Sequence, residues 1–145
     1  LPPYFDFVQH EAVAGILNRC NIDTITCINS LGNGLVIDPE KERTVIFPKG
    51  GFGGIGGQII KPIALANVRR FSQLTSCDVI GCGGITSGMD AFEHILCGAS
   101  AVQIGTQFHM EGIDAFKRIY RELEAIMVKK QYTSIGDFCG KLKTL

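Results

Sequence analysis

The chain has 145 residues, of which 46% are apolar, so it is long enough to form one domain with a buried core. Fourteen basic and fourteen acidic side chains give a formal net charge of zero, which argues against a surface for nucleic acid or anionic membranes. No apolar run reaches the roughly 18 residues of a membrane-spanning helix, and the first residues lack the pattern of a signal peptide. We therefore expect a cytoplasmic protein that binds neither nucleic acid nor membrane.

Six cysteines occur without a CxxC pair, so their spacing favours neither a metal site nor a disulfide framework. Several of them lie inside apolar runs, where a thiol behaves as a small hydrophobic group. We expect reduced thiols and no bound metal.

The first half of the chain predicts a helix, a strand and a hairpin. Residues 8–19 carry apolar side chains at helical spacing, and the short apolar run 24–29 is typical of a buried strand. Two β-rich triplets between Leu35 and Phe47 flank the polar turn DPEKER, which predicts the hairpin. Residues 50–57 contain six glycines in eight positions, so we expect an irregular loop with unusual backbone angles there.

Helical and strand patterns alternate through the second half. Ser87 and Asp90 have the spacing of a capping box, although aspartate replaces the usual Glu or Gln. Gly98 offers a stop for the helix that follows this box. The predicted strands are 78–81 and 101–105, and the predicted helices are 60–74, about 87–98, about 113–128 and 134–141.

Apolar strands that alternate with amphipathic helices are typical of a parallel sheet in an α/β protein. Ligands of such proteins bind beyond the carboxyl ends of the strands. Three predicted strands end in polar or glycine-rich tips, which are INS at 28–30, GCGG at 81–84 and IGT at 104–106.

The second and third tips predict a phosphate site. Gly83 and Gly84 leave backbone N–H groups free to face an anion, and Thr106 adds a hydroxyl donor. The competing interpretation is that the glycines only make a tight turn and that Thr106 caps the next segment. Two strands that end in this way, with Gly105 following Gly84 by 21 positions, favour the phosphate site.

Other polar residues near the tips permit two interpretations. Asn29 and Ser30 end a strand, where such a pair either closes a local turn or contacts a ligand. His109 follows the third tip and is a further candidate. Cys82 lies beside the predicted phosphate loop, but nothing near it in sequence except a helix N-terminus would lower its pKa, so we do not assign it as a nucleophile.

Five segments in a fixed order carry a family resemblance, namely TCINSLGNGLVID (26–38), PKGGFGGIGG (48–57), ALANV (64–68), GCGGI (81–85) and the tail DFCGKLKTL. Together they resemble the family 1A dihydroorotate dehydrogenases, the soluble, fumarate-linked enzymes of bacteria and trypanosomatid protozoa. The resemblance runs from Leu1 to Leu145 and is strongest for the trypanosomatid branch.

This resemblance implies an α/β fold, a TIM (β/α)8 barrel with FMN at the carboxyl ends of its strands. Residues 1–145 would form about the C-terminal half, with roughly four βα units, the first strand leading into PPYFD, and a β-hairpin insertion. The implied reaction is the oxidation of dihydroorotate to orotate in pyrimidine synthesis, with fumarate reoxidising the flavin. The family is homodimeric.

The resemblance also implies roles for nine residues. The FMN phosphate would be held by Cys82, Gly83, Gly84, Gly105 and Thr106. The flavin would contact Ile28 and Gly57, and the pyrimidine substrate would bind Asn29 and Ser30.

The chain also departs from the family. A complete TIM barrel has about 250 residues in eight βα units. The family's catalytic base is a cysteine on a mobile loop of the first half, and no cysteine of this chain matches it by motif. We therefore assign no catalytic residue and expect the isolated chain to lack dehydrogenase activity.

Two alternative functions remain open. The chain is a non-catalytic half-barrel that binds flavin or phosphate, or it belongs to the pyrimidine-reducing FMN domain of an enzyme similar to dihydropyrimidine dehydrogenase. The hairpin and the absence of CxxC spacing argue against the second alternative.

Overall fold

The computed structural model describes all 145 residues, which form seven strands and five α-helices. The strands are β1 (Thr24–Cys27), β2 (Leu31–Leu35), β3 (Ile37–Asp38), β4 (Arg43–Thr44), β5 (Phe52–Ile55), β6 (Asp78–Cys82) and β7 (Ala101–Gln103). The helices are α1 (Phe7–Leu17), α2 (Lys61–Leu74), α3 (Gly88–Leu96), α4 (Thr106–Glu111) and α5 (Asp114–Lys129). No helix combines the length and the apolar character that crossing a bilayer requires.

The central element is a parallel sheet in which β1, β6 and β7 lie side by side in that order. Thr24 pairs with Asp78, and Ile80 pairs with Ala101. Parallel neighbours need long crossover connections, and helices α2 and α3 supply them here. The parallel α/β architecture predicted from the sequence is confirmed.

The helices cover one face of this sheet. Ile25, Cys27 and Val79 point to that face and are buried. Ile80 and Gln103 point to the other face, where they are half-buried and exposed respectively. Since successive side chains of a strand alternate between faces, this pattern means that the second face has no layer packed on it.

Helix α2 supplies the main core against the sheet. Ala64, Val68 and Phe71 follow the spacing of one helical face and are fully buried. They pack in one cluster with Ile25 and Val79. Pro62 lies in the first turn of α2, as the sequence predicts.

Helix α3 begins at the predicted capping box. The hydroxyl of Ser87 accepts a hydrogen bond from the backbone N–H of Asp90, and the Ser87 N–H donates to the Asp90 carboxylate. The helix ends before Gly98, whose φ of +116° suits glycine and turns the chain toward β7. Both signals predicted for this helix are confirmed.

The segment between β1 and α2 differs in part from the prediction. Strands β3 and β4 form the tip of the predicted hairpin, with Ile37 opposite Thr44. An outer antiparallel pair, β2 with β5, extends it. The expectation of an irregular loop over 50–57 is therefore wrong for Phe52–Ile55. Gly34 permits this pairing, because a Cβ there would clash with the Ile55 side chain of β5.

One helix prediction is wrong, and one helix was missed. The helix expected over 134–141 is a single 3-10 turn, Ile135–Asp137, and Gly140 with φ +71° turns the tail out of helical geometry. Helix α4 was not predicted from the sequence. The strand expected to lead into PPYFD stays a prediction, since Leu1 is the one residue here that precedes this motif. Leu1 lies along the edge of β1, where its backbone nitrogen donates to the Thr26 carbonyl at 2.6 Å.

Replacing Phe71 with alanine should lower the free energy of unfolding by about 3–5 kcal/mol, because removing a fully buried ring leaves a cavity. Urea unfolding followed by circular dichroism measures the change. Phe47→Ala is the control, since Phe47 is 96% exposed and a surface substitution costs less than about 0.5 kcal/mol. Equal losses for the two variants would contradict the core described above.

Candidate cofactor and substrate site

A pocket of about 170 Å³ lies at the carboxyl ends of β1, β6 and β7. All nine residues that the sequence predicts as ligand-binding line it, so the three tips meet at one edge of the sheet. His109 lies outside it, exposed on α4. Five further lining residues were not predicted, and these are Gly56, Ile60, Ile85, Thr86 and Gln103.

Gly83 and Gly84 make the turn after β6 and pack directly on α2. Their φ angles are +130° and +75°, which glycine adopts at low cost. A Cβ on Gly83 would lie 2.8 Å from the Ala64 Cβ, and one on Gly84 would lie 2.5 Å from the Lys61 Cβ. Packing against α2 is by itself a sufficient reason for these two glycines, as the tight-turn interpretation states. A role in binding phosphate is compatible with it.

Gly105 has a different role from the glycines of the turn. Its φ is −105°, and a Cβ there would meet no atom within 4 Å. Neither backbone strain nor packing calls for glycine at this position. The space that a side chain would take is part of the pocket, so the missing Cβ leaves room for a ligand to approach the backbone.

Unpaired backbone donors surround the pocket. The N–H groups of Gly83, Gly84, Gly105 and Thr106 donate to no acceptor of this chain. The Thr106 hydroxyl lies beside the backbone of Gly56, where a Cβ would be 3.2 Å from it. Because N–H groups usually find acceptors, such a group of free donors is suited to bind an anion such as phosphate.

The pocket itself has no charged lining residue. Lys61 lies behind it, but its ammonium group is bonded to Asp90 at 2.6 Å and to Glu93 at 2.8 Å. An anion in the pocket would therefore be held by neutral hydrogen-bond donors, since the Lys61 ammonium group is already paired. Nowhere in the chain do three His, Cys, Asp or Glu side chains come together as a metal site.

Asn29 and Ser30 lie on the exposed side of the pocket. The Asn29 side-chain oxygen accepts a hydrogen bond from the Ser30 N–H at 2.8 Å, which is the local turn named above as an alternative. The amide nitrogen of Asn29 and the Ser30 hydroxyl are not used in this bond. The two interpretations are compatible, since the local bond uses only the side-chain oxygen of Asn29 and leaves the two donors available to a ligand.

Cys82 is the one lining residue with a thiol. Burial raises its pKa above the usual value. Neighbouring Cys27 is more deeply buried, which raises its pKa to about 11. Both thiols therefore stay protonated near neutral pH, and neither is a nucleophile or a base.

A wider depression of about 450 Å³ continues from the pocket along the strand ends. It shares Ile28, Asn29, Cys82 and Gln103 with the pocket. Small-molecule sites usually enclose about 300–1,000 Å³. The narrow pocket is smaller than this range and therefore suits a small group such as a phosphate, not a whole ligand. A larger ligand anchored there would extend into the depression.

His94 supports the glycine turn from below, a role that the sequence does not predict. Its side chain is fully buried, and its Nε2 lies 3.0 Å from the Gly83 carbonyl oxygen. Since the carbonyl accepts, Nε2 carries the proton, and Nδ1 is buried without a partner. Burial lowers the pKa of His94 below its usual value. The two residues are eleven positions apart, so only the fold brings them together.

We expect the free energy of unfolding to fall as the pH is lowered through 6.5, the ordinary pKa of histidine. The folded state disfavours protonated His94, whereas the unfolded chain takes up the proton, so acid stabilises the unfolded state. Chemical denaturation at a series of pH values measures this dependence. His94→Gln, which keeps a donor for Gly83 but does not titrate, should show a shallower dependence. Identical slopes for the two proteins would contradict the assignment.

The parallel sheet, its helical layer and the glycine-lined pocket define an α/β protein with a candidate ligand site at the carboxyl ends of its strands. A sequence model of one enzyme family, dihydroorotate dehydrogenase, matches residues 1–127. The chain therefore belongs to the dihydroorotate dehydrogenase family.

Relatives of known name agree with this family. The chain is 54% identical to the probable dihydroorotate dehydrogenase A (fumarate) of Enterococcus faecalis and 57% identical to the dihydroorotate dehydrogenase A (fumarate) of Lactococcus lactis. It is also 57% identical to the dihydroorotate dehydrogenase (fumarate) of Saccharomyces mikatae. Each match covers 100% of this chain and 47% of the relative, so the chain spans about half the length of these proteins.

Solved structures give the same result for the fold. The ferulenol complex of the DHODH from Eimeria tenella superimposes with a TM-score of 0.79 at 25% identity, covering 97% of this chain and 36% of that one. The ligand-free enzyme of the same organism also gives 0.79, at 24% identity, covering 97% of this chain and 38% of that one.

Proposed function

We propose that this chain forms the FMN-binding part of an enzyme that oxidises dihydroorotate to orotate and passes the electrons to fumarate, a step of pyrimidine synthesis. One observation carries the proposal. The nine residues predicted for FMN and substrate line a single pocket in a chain whose relatives are named dihydroorotate dehydrogenase (fumarate). Because the chain spans about half of those relatives, the activity is proposed for the larger enzyme.

We propose that the chain is the C-terminal half of a TIM barrel. The three parallel strands follow each other in space in their chain order, as strands of this barrel do. Helices cover one face of the sheet, and Ile80 and Gln103 lie on the uncovered face that would become the barrel interior. These two features support the barrel over a sheet covered by helices on both faces.

The lining residues fit FMN. The free N–H groups of Gly83, Gly84, Gly105 and Thr106, together with Cys82, would hold its phosphate. Ile28 and Gly57 would contact the flavin, and Ile28 lies where the pocket opens into the depression. When bound, FMN supplies the redox chemistry by accepting hydride from the substrate.

Asn29 and Ser30 would bind and orient the pyrimidine. Dihydroorotate carries ring carbonyl and carboxylate oxygens, which accept hydrogen bonds from the Asn29 amide and the Ser30 hydroxyl. Both side chains are exposed at the strand end, beside Ile28. These two side chains would orient the substrate and not act as bases, since neither an amide nor a hydroxyl group takes up a proton near neutral pH.

The pocket lacks a general base. Oxidation of dihydroorotate needs a group that takes the C5 proton while hydride leaves C6. Among the lining residues Cys82 has the one titratable side chain, and burial raises its pKa. This chain would therefore bind and orient the reactants, and the base would come from elsewhere in the enzyme.

The missing base also favours a second candidate function, a non-catalytic half-barrel that binds flavin or phosphate. The same pocket serves both candidates, and they differ only in whether a base is supplied. The dihydropyrimidine dehydrogenase alternative has less support, because the relatives reported above are named as fumarate-linked enzymes.

We propose a homodimer for the larger enzyme. The hairpin exposes large apolar side chains, and the Phe47 ring is 96% exposed. Exposed apolar clusters of this kind mark interaction surfaces. The exposed hairpin residues are Val36, Ile37, Val45, Ile46 and Phe47. Cytoplasmic location stays a prediction from the sequence.

Titration of this chain with FMN should give saturable quenching of flavin fluorescence, and riboflavin should bind at least about tenfold more weakly because it lacks the phosphate. Gly105→Asp should abolish the preference for FMN. It places a carboxylate in open space beside the phosphate donors without a packing clash, so like charges repel.

Gly32→Asp is the matched control, because a Cβ on Gly32 also meets nothing within 4 Å and Gly32 does not line the pocket. Circular dichroism verifies that both variants fold. A folded wild-type chain that binds FMN and riboflavin equally would refute the phosphate assignment, and so would equal losses in the two variants.

Dihydroorotate should not bleach the flavin absorbance of the FMN-loaded chain under anaerobic conditions, since no side chain of the pocket removes the C5 proton. Dithionite, which needs no base, should bleach the same sample and shows that the flavin is reducible. Bleaching by dihydroorotate would mean that this chain contains the base.

A further inference from the structure

Asp90 is a buried carboxylate behind the pocket, and it accepts more hydrogen bonds than a helix cap requires. It is 3% exposed. A capping box needs the bond from the Ser87 N–H, yet Oδ2 also accepts from the Ser87 hydroxyl at 2.9 Å. The N–H and the hydroxyl of Thr86 donate to the same oxygen at 2.9 and 2.8 Å. Thr86 lines the pocket, so this carboxylate holds the end of the glycine turn.

The other carboxylate oxygen joins this turn to a second wall of the pocket. Oδ1 accepts from the Lys61 ammonium at 2.6 Å. Lys61 begins α2, directly after Ile60, and both Gly57 and Ile60 line the pocket. One side chain therefore connects the segment 56–61 with the segment 83–87, although the partners Lys61 and Asp90 are 29 positions apart.

The two segments are in close contact where Asp90 joins them. A Cβ on Gly84 would lie 2.8 Å from the Lys61 Cα and 2.9 Å from its backbone nitrogen. The free N–H groups of Gly83 and Gly84 therefore keep their place only while the turn stays seated on the start of α2. Donors that bind an anion have to be held in place before it arrives, since ordering them afterwards costs binding energy.

The charges agree with this arrangement. Burial by itself would raise the pKa of Asp90, but the bonds from Lys61, Thr86 and Ser87 outweigh it and bring the pKa well below the usual range. The carboxylate is therefore ionised at neutral pH. It neutralises Lys61 and leaves the phosphate donors as the attractive groups of the pocket.

We propose that Asp90 is a positioning residue for the phosphate subsite: through Thr86, Ser87 and Lys61 it seats the glycine turn on α2 and so sets the preference for a phosphorylated flavin over an unphosphorylated one. The proposal rests on the FMN assignment made above. Asp90 touches neither ligand nor pocket, and its effect passes through the residues that it holds.

The chain contains a matched control for this residue. Asp137 follows Thr133 and Ser134 as Asp90 follows Thr86 and Ser87, in the two stretches TSGMD and TSIGD. Its Oδ2 accepts from the N–H and hydroxyl of Thr133 and from the Ser134 N–H. The Asp137 carboxylate forms no salt bridge, since Lys141 bonds the backbone carbonyl of Asp137 instead, and Asp137 does not line the pocket.

The test compares wild type, Asp90→Asn and Asp137→Asn in titrations with FMN and with riboflavin. Asp90→Asn should weaken FMN binding by about tenfold or more, or about 1.4 kcal/mol, and leave riboflavin binding within about twofold. Asp137→Asn should change neither. Equal weakening of both ligands by Asp90→Asn would show a general loss of structure and overturn the proposal.

Hydrogen exchange followed by mass spectrometry gives a readout without any ligand. Asp90→Asn should speed exchange in residues 83–88, whereas Asp137→Asn should leave that segment unchanged. Unchanged exchange at 83–88 in Asp90→Asn would overturn the proposal even if FMN does not bind. Failure of wild type to prefer FMN would count against the proposed function, and the exchange data would still decide whether Asp90 seats the turn.

Lys61→Met is a second variant that tests the same proposal if Asp90→Asn does not fold. It removes the bridge to α2 and leaves the capping box of Asp90 with Ser87 in place. The proposal expects the same loss of FMN preference. A folded Lys61→Met protein with the wild-type preference would exclude the bridge as the positioning element.

Discussion

The seating of the turn after β6 on the start of α2 is the contact on which the rest of the site depends. Gly83 and Gly84 approach Ala64 and Lys61 more closely than any side chain would allow. This approach leaves the backbone donors of the turn unpaired at the sheet edge. Core packing and site geometry are thus consequences of the same two glycines.

Polar groups behind the turn hold it in place while the pocket itself stays neutral. His94 donates to the Gly83 carbonyl, and Asp90 bonds both to the end of the turn and to Lys61. The charges pair with one another outside the pocket, so the free N–H groups are its distinctive chemistry. A neutral, preorganised set of N–H donors is suited to bind a negatively charged group such as phosphate, because no charged side chain of the pocket repels it.

Local signals in the sequence predicted much of the fold. The capping box at Ser87, the proline at the start of α2 and the three strand tips act over a few residues, so periodicity and turn chemistry reveal them. The prediction failed where partners are distant. Phe52–Ile55 forms a strand because β2 lies beside it. The tail after Ser134 forms a single 3-10 turn, and the positive φ of Gly140 ends helical geometry there.

Residue types in a fixed order along the chain were enough to predict the family, the parallel α/β class and nine residues that line one pocket. The groups that support the pocket became visible in the folded structure alone. The bond of His94 to Gly83 and that of Asp90 to Lys61 carry no local signal, since the partners lie 11 and 29 positions apart. The spacing of Asp90 to Ser87 predicted only the helix cap. Burial and hydrogen bonding belong to the folded chain, and they exist only once the strands and helices have come together.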